Sequence, residues 1–179
     1  MLFRSALVPI ENSVEGVVAR TLDELAIGQP LVITGEITLP VNFALMTLSD
    51  KNINAIKSIA THPHAESQCR TYLAKNFPHA DILETTSTAA AAAGLAAGNF
   101  DAAIAAPIAA KTYNLKIQTE NIGDNPSAVT RFVLVEKPGR EISATGNDRT
   151  SLAVFIAIDH AGALLEILTE FAKQDVNLS

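Results

Sequence analysis

Short clusters of polar side chains, each set directly after an apolar run, carry the chemistry of this chain. The first is Glu11-Asn12-Ser13, which follows the run at residues 6–8 and Pro9 and closes with Val14-Glu15-Gly16. Equivalent handovers occur at Thr61, at Ser87-Thr88 and at Thr130-Arg131. In an α/β protein such positions, at the carboxyl ends of strands, are where substrate sits. Asn12 offers both a donor and an acceptor, and Thr61, Ser87, Thr88 and Thr130 offer hydroxyls. Arg131 is the fixed cation best suited to a planar carboxylate. Gln68 lies seven residues after Thr61 and faces the same cleft if a helix begins at Pro63. Polar, non-covalent handling of a small carboxylate fits these residue types.

Competing chemistries fit less well. Ser13 lacks the flanking glycines of a nucleophile elbow. Neither a lysine-ended phosphate loop, a dinucleotide fingerprint nor a zincin histidine pair is present. His62 and His64 straddle Pro63 and do not share a helix face, so they read as a cap or surface histidines. The single cysteine, Cys69, excludes an internal disulfide framework and reads as a small core residue. A formal net charge of −6 argues against a nucleic-acid partner, though Arg131 and a few backbone N–H groups still make a local anion site. No apolar stretch is long enough for a membrane span, no signal peptide is evident, and a cytoplasmic location is expected. A plainer account also exists: Ser87 as an N-cap, Thr130 as a strand threonine, Arg131 facing solvent. Alternation sends residues 130 and 131 to opposite sheet faces, so one is expected to be catalytic while the other organises the site.

The elements that position these residues follow from periodicity. Strands are expected at 6–8, 31–39, 43–48, 59–61, 81–83, 102–105, 117–118 and 129–135. Helices are expected at 17–27, stopped by Gly28 and Pro30, and at 63–76, with Ala65, Cys69, Tyr72 and Leu73 inward. Ser87 caps an alanine-rich helix over 88–97 closed by Gly98, and 107–111 forms a helical turn. The alternation points to an open α/β sheet with helices on its faces. Residues 138–149, rich in charge and glycine, read as a linker. Beyond it come a strand at 151–158, an amphipathic helix at 161–173 with Leu164, Leu168 and Phe171 inward, and a strand opening at 176–178.

Five segments in order, Pro9-Ile10-Glu11-Asn12-Ser13-Val14-Glu15-Gly16, Thr61-His62-Pro63, Gln68-Cys69, Ser87-Thr88-Ala89 and Thr130-Arg131-Phe132, resemble prephenate dehydratases. Asp159 with Gly162-Ala163-Leu164 looks like the opening of the ACT regulatory domain that follows the catalytic domain in that family. The resemblance implies a two-lobed, periplasmic-binding-protein-like (type II) α/β catalytic domain at 1–137, then a partial ACT domain, ferredoxin-like α+β, at 150–179. It implies loss of water and carbon dioxide from prephenate to give phenylpyruvate, on the way to L-phenylalanine, with no metal or organic cofactor. Thr130, Asn12, Thr61 and Gln68 take the family's catalytic positions. Arg131, Ser87, Thr88, Ser13 and Glu11 are the implied substrate-binding residues, with Phe132 and Gly16 shaping the site. Gly162, Ala163 and Leu164 supply one wall of an effector site for L-phenylalanine, and a homo-oligomer is expected, with neither membrane nor nucleic acid as partner. Relative to the family the chain reads as truncated at both ends, which exposes strand edges and favours self-association. A non-catalytic module that holds a small carboxylate is the alternative from another class, and an interaction protein pairing through 151–158 is a weaker one.

Overall fold

The computed structural model describes residues 4–49, 53–139 and 143–178 of the 179-residue chain. It divides into two compact units, residues 1–140 and 141–179.

The first unit is built on two sheets, where periodicity alone suggested one open sheet and the family resemblance implied two lobes. Strands β1 (Ser5–Asn12), β2 (Gly16–Val17), β3 (Val32–Pro40) and β9 (Val129–Glu136) form an antiparallel sheet in the order β2-β1-β9-β3. Helix α1 (Ala19–Ile27) packs Leu25 against Val8, Ile10, Ile33, Val133 and Val135 on one of its faces. The first strand does not stop at Pro9 as expected but continues to Asn12. Pro9 is tolerated because the register slips between Pro9 and Glu11 and β2 pairs only with Glu11 and Asn12. A missing N–H costs nothing where no neighbouring strand waits for it.

The second sheet has the order β6-β5-β7-β4-β8, from β4 (Ala44–Thr47), β5 (Ser58–Thr61), β6 (Asp81–Glu84), β7 (Ala102–Ala105) and β8 (Lys116–Thr119). Its three strands β6, β5 and β7 run parallel; β4 is antiparallel to both β7 and β8. Every residue of β4 and β7 is buried, as continuous apolar runs covered on both faces should be. Ala44, Met46, Ala103 and Ala105 point to the helices α4 (Thr88–Ala96) and α5 (Ile108–Tyr113). Leu45, Ala102 and Ile104 point the other way, to Cys69, Leu73 and Phe77. The alanine-rich α4 has little side chain to hold it off the sheet, and Ala91, Ala92 and Leu95 are fully buried.

The helix expected over 63–76 is broken in two, α2 (Pro63–Gln68) and α3 (Arg70–Asn76). Cys69 leaves helical geometry at φ −119°, ψ 15°. The Asp124 carboxylate, from the loop after β8, accepts the Thr71 N–H and caps the second piece.

In the second unit, α6 (Ala163–Lys173) forms as expected, but residues 151–158 and 176–178 are not strands. A strand is stable only with a ladder partner, and none lies among the described residues of this unit. Leu164 and Leu168 are exposed rather than inward, at 63% and 43%, while Ala163 is buried and Phe171 half-buried. No described helix is long and apolar enough to cross a membrane.

Candidate functional site

The register of β1 against β9 places Asn12 directly opposite Thr130 and Glu11 opposite Arg131, on alternate faces of the sheet. Asn12 Oδ1 accepts the backbone N–H groups of Val14 (2.8 Å) and Glu15 (3.0 Å). With its oxygen committed to two donors, the Asn12 carboxamide must turn its nitrogen toward Thr130. Nδ2 accordingly donates to Thr130 Oγ1 at 2.8 Å. The Thr130 oxygen is therefore an acceptor, and its own O–H donates to no described residue. Ser13 clamps the same end of β9: its N–H donates to the Val129 carbonyl (2.9 Å) and its Oγ accepts the Val129 N–H (3.0 Å). Gly16, at φ +87°, closes the turn in a conformation that favours glycine.

On the opposite face, Arg131 is held between two carboxylates. Its Nη1 donates to Glu11 Oε2 at 3.5 Å. Its Nε, shielded from solvent, lies 3.1 Å from Glu36 Oε2 in an ion pair without good hydrogen-bond direction. The guanidinium thus ties β1, β9 and β3 together. Phe132 shares the face of Thr130 and is half-buried.

The other expected residues stand at the carboxyl edge of the parallel strands. The connection leaving β5 runs over one face of its sheet and that leaving β7 over the other, so the gap between these strands is a topological switch point. Thr61 ends β5 there, 1% exposed, and its hydroxyl donates to the Ile104 carbonyl at 3.0 Å. Ser87 accepts the Ala90 N–H at 3.0 Å and so caps α4, of which Thr88 is the first residue. His62 likewise caps α2, its Nδ1 accepting the His64 N–H at 3.2 Å.

Gln68 joins this group to the first. Its Nε2 donates to Glu15 Oε1 at 3.2 Å, and its carbonyl accepts the Asp124 N–H at 2.6 Å. Asn12 and Thr130 therefore meet directly, Ser13 holds the adjacent Val129, and Gln68 reaches the pair through Glu15. Among the described residues no hydrogen bond links Thr61, Ser87 or Thr88 to the Asn12–Thr130 pair. Glu15, Glu36 and Asp124 were not foreseen from sequence. Only Glu15 had a local signal, the Asx-turn spacing of three residues after Asn12.

Burial pushes the Cys69 thiol up from 9.0 to about 12, aided by the nearby Asp124 charge, so the thiol is inert. No cluster of three or more potential metal ligands occurs among the described residues. A shallow cavity of about 240 Å³ lies between α1 and the sheet, lined by Val8, Leu25, Leu31 and Val135 with Arg20 and Glu24. Val135 shares its sheet face with Arg131, so this cavity is on the opposite side from Thr130.

A sequence model of the family described as prephenate dehydratase matches residues 2–140. The prephenate dehydratase of Amycolatopsis methanolica is 45% identical over 176 residues, 98% of this chain and 57% of the relative. The crystal structure of prephenate dehydratase from Arthrobacter aurescens in complex with L-Phe superposes with a TM-score of 0.88 at 48% identity, covering 98% of this chain and 58% of that one. The enzyme from Staphylococcus aureus gives a TM-score of 0.76 at 29% identity, over 98% of this chain and 64% of that one. The chain thus spans between half and two thirds of each relative and shares their α/β fold.

Proposed function

The chain belongs to the prephenate dehydratase family, and from that premise we propose that its first unit carries catalytic residues for converting prephenate to phenylpyruvate. In that reaction the ring hydroxyl leaves as water and the ring carboxylate as carbon dioxide; the electrons of the broken C–C bond complete the aromatic ring. A hydroxyl departs far more readily when a proton reaches its oxygen. The observation that carries the proposal is the Asn12–Thr130 bond: Asn12 donates to Thr130 Oγ1, leaving the threonine proton for a substrate oxygen. The same N–H stabilises negative charge that develops on Oγ1 as the proton moves, which is how a weak acid becomes useful.

In this reading Gln68, Ser87 and Thr88 hold the substrate's carboxylates and keto acid arm, and Thr61 shapes the switch-point end of the site. Arg131 and Glu11, on the opposite face, brace the strand that bears Thr130. Two lobes of the periplasmic-binding-protein kind, one per sheet, are supported by the two chain crossings at residues 41–43 and 120–128. We also read residues 150–179 as the opening of an ACT domain, supported by the Gly162 turn (φ +100°) that starts α6. L-phenylalanine as effector, a homo-oligomer and a cytoplasmic location belong to the same reading. The test is phenylpyruvate formation from prephenate by the 179-residue chain. Turnover is expected, and Thr130→Ala should bind prephenate yet lose about 100-fold or more in kcat. Folded wild-type protein without turnover refutes the activity for this chain; an undiminished Thr130→Ala refutes the role of the hydroxyl.

A further inference from the structure

We propose that Glu15 is a positioning residue that fixes the carboxamide of Gln68 and sets it relative to the Asn12–Thr130 pair; the inference rests on the dehydratase reading above. Glu15 sits in the turn between β1 and β2, Gln68 at the end of α2 beside the second sheet. The two side chains are 53 positions apart in sequence and meet at 3.2 Å. Because a carboxylate only accepts, the Gln68 group facing it must be the amide nitrogen. That choice turns Gln68 Oε1, an acceptor, and its second N–H away from Glu15 and leaves both for substrate. A glutamine without such an anchor presents either end, and half of its orientations are wrong for any one ligand.

Glu15 is itself held. Its N–H donates to Asn12 Oδ1, the same oxygen whose commitment turns Asn12 Nδ2 onto Thr130. Gln68 is anchored from behind, where its carbonyl accepts the Asp124 N–H at 2.6 Å. A continuous path of hydrogen bonds therefore runs Thr130–Asn12–Glu15–Gln68, and it passes from one sheet's elements to the other's. Glu15 carries no burden in any of the three hydrophobic clusters, being exposed, so its side chain is dispensable for folding. A residue that is cheap to remove yet determines which atom Gln68 presents is suited to positioning.

Two variants of the full chain test this. Glu15→Ala removes the acceptor; Glu15→Gln keeps an oxygen in reach of Gln68 Nε2. Glu15→Ala should lower kcat/KM for prephenate roughly three- to tenfold, as expected for loss of one partly exposed hydrogen bond, with Glu15→Gln restoring most of it. Independently of turnover, the side-chain amide resonances of Gln68, identified by their loss in Gln68→Met, should shift in Glu15→Ala and stay near their wild-type positions in Glu15→Gln. Wild-type kinetics in Glu15→Ala, or unmoved Gln68 amide signals, overturns the inference. If the wild-type chain shows no turnover, the dehydratase reading fails by itself, and the amide resonances alone then decide whether Glu15 orients Gln68.

Discussion

A hydroxyl delivers a proton only when its oxygen is supported as the proton leaves, and in the proposed mechanism the Asn12 hydrogen bond sets that condition for Thr130. Replacing Asn12 by aspartate separates its two duties. The new side chain still accepts the Val14 and Glu15 N–H groups, but it presents a second acceptor to Thr130 Oγ1 in place of the donor. Thr130 must then spend its proton on the carboxylate. Asn12→Asp should therefore lose about tenfold or more in kcat while its thermal midpoint stays close to wild type; equal loss of both would show that Asn12 is only a turn residue. Cys69 gives a residue-scale prediction of another kind. Its folded value lies above its unfolded one, so the stabilisation is complete below about 9 and is lost as pH climbs toward about 12. Denaturation curves of the native chain should show this alkaline decline, and Cys69→Ala should flatten it.

At the scale of elements, α4 shows how far composition reaches and where it stops. Ser87 through Gly98 read correctly as cap, helix and stop, because Ser87 capping and the positive φ of Gly98 are local chemistry. What composition does not say is how tightly α4 meets its surroundings. A Cβ at Gly94 would lie 2.5 Å from Cε2 of Phe100, whose half-buried ring packs against the alanine cluster. Helix propensity favours Gly94→Ala by about 1 kcal/mol, but overpacking costs typically 1–3 kcal/mol. The clash should win, giving net destabilisation of about 1 kcal/mol in urea titrations, relieved when Phe100→Leu is added. A stabilised Gly94→Ala chain would show that the ring yields. The helix broken at Cys69 marks the limit of the same reading: Tyr72 and Leu73 keep the helical period, yet a capping carboxylate from residue 124 re-starts the helix.

For the whole molecule, the second unit bears the conspicuous exposed surface. Leu152, Val154, Phe155, Ile156 and Ile158 lie in an irregular segment without a ladder, each between 45% and 75% exposed. Clustered exposed apolar side chains of this kind mark a surface prone to association. Val154→Lys with Ile156→Lys should reduce concentration-dependent association in sedimentation velocity while leaving the prephenate turnover proposed for the first unit unchanged. Association that persists at wild-type strength would place the sticky surface elsewhere, for instance on the sheet face with Leu7, Ile37 and Leu39, all of them exposed.

By itself the sequence determined the family, most strands and helices of the first unit, and the polar clusters at strand ends, because motifs, caps and periodicity act over a few residues. Tertiary structure decided which strands share each of the two sheets, that β1 runs through Pro9 to Asn12, and that Arg131 is occupied by Glu11 and Glu36. It also decided that residues 151–158, strand-like in type, form none, since a strand exists only in a partner's company. The physical reason is common to these cases. Register, ion pairing and the Glu15–Gln68 contact depend on residues tens of positions apart, and their free energy appears only when the chain has folded back on itself.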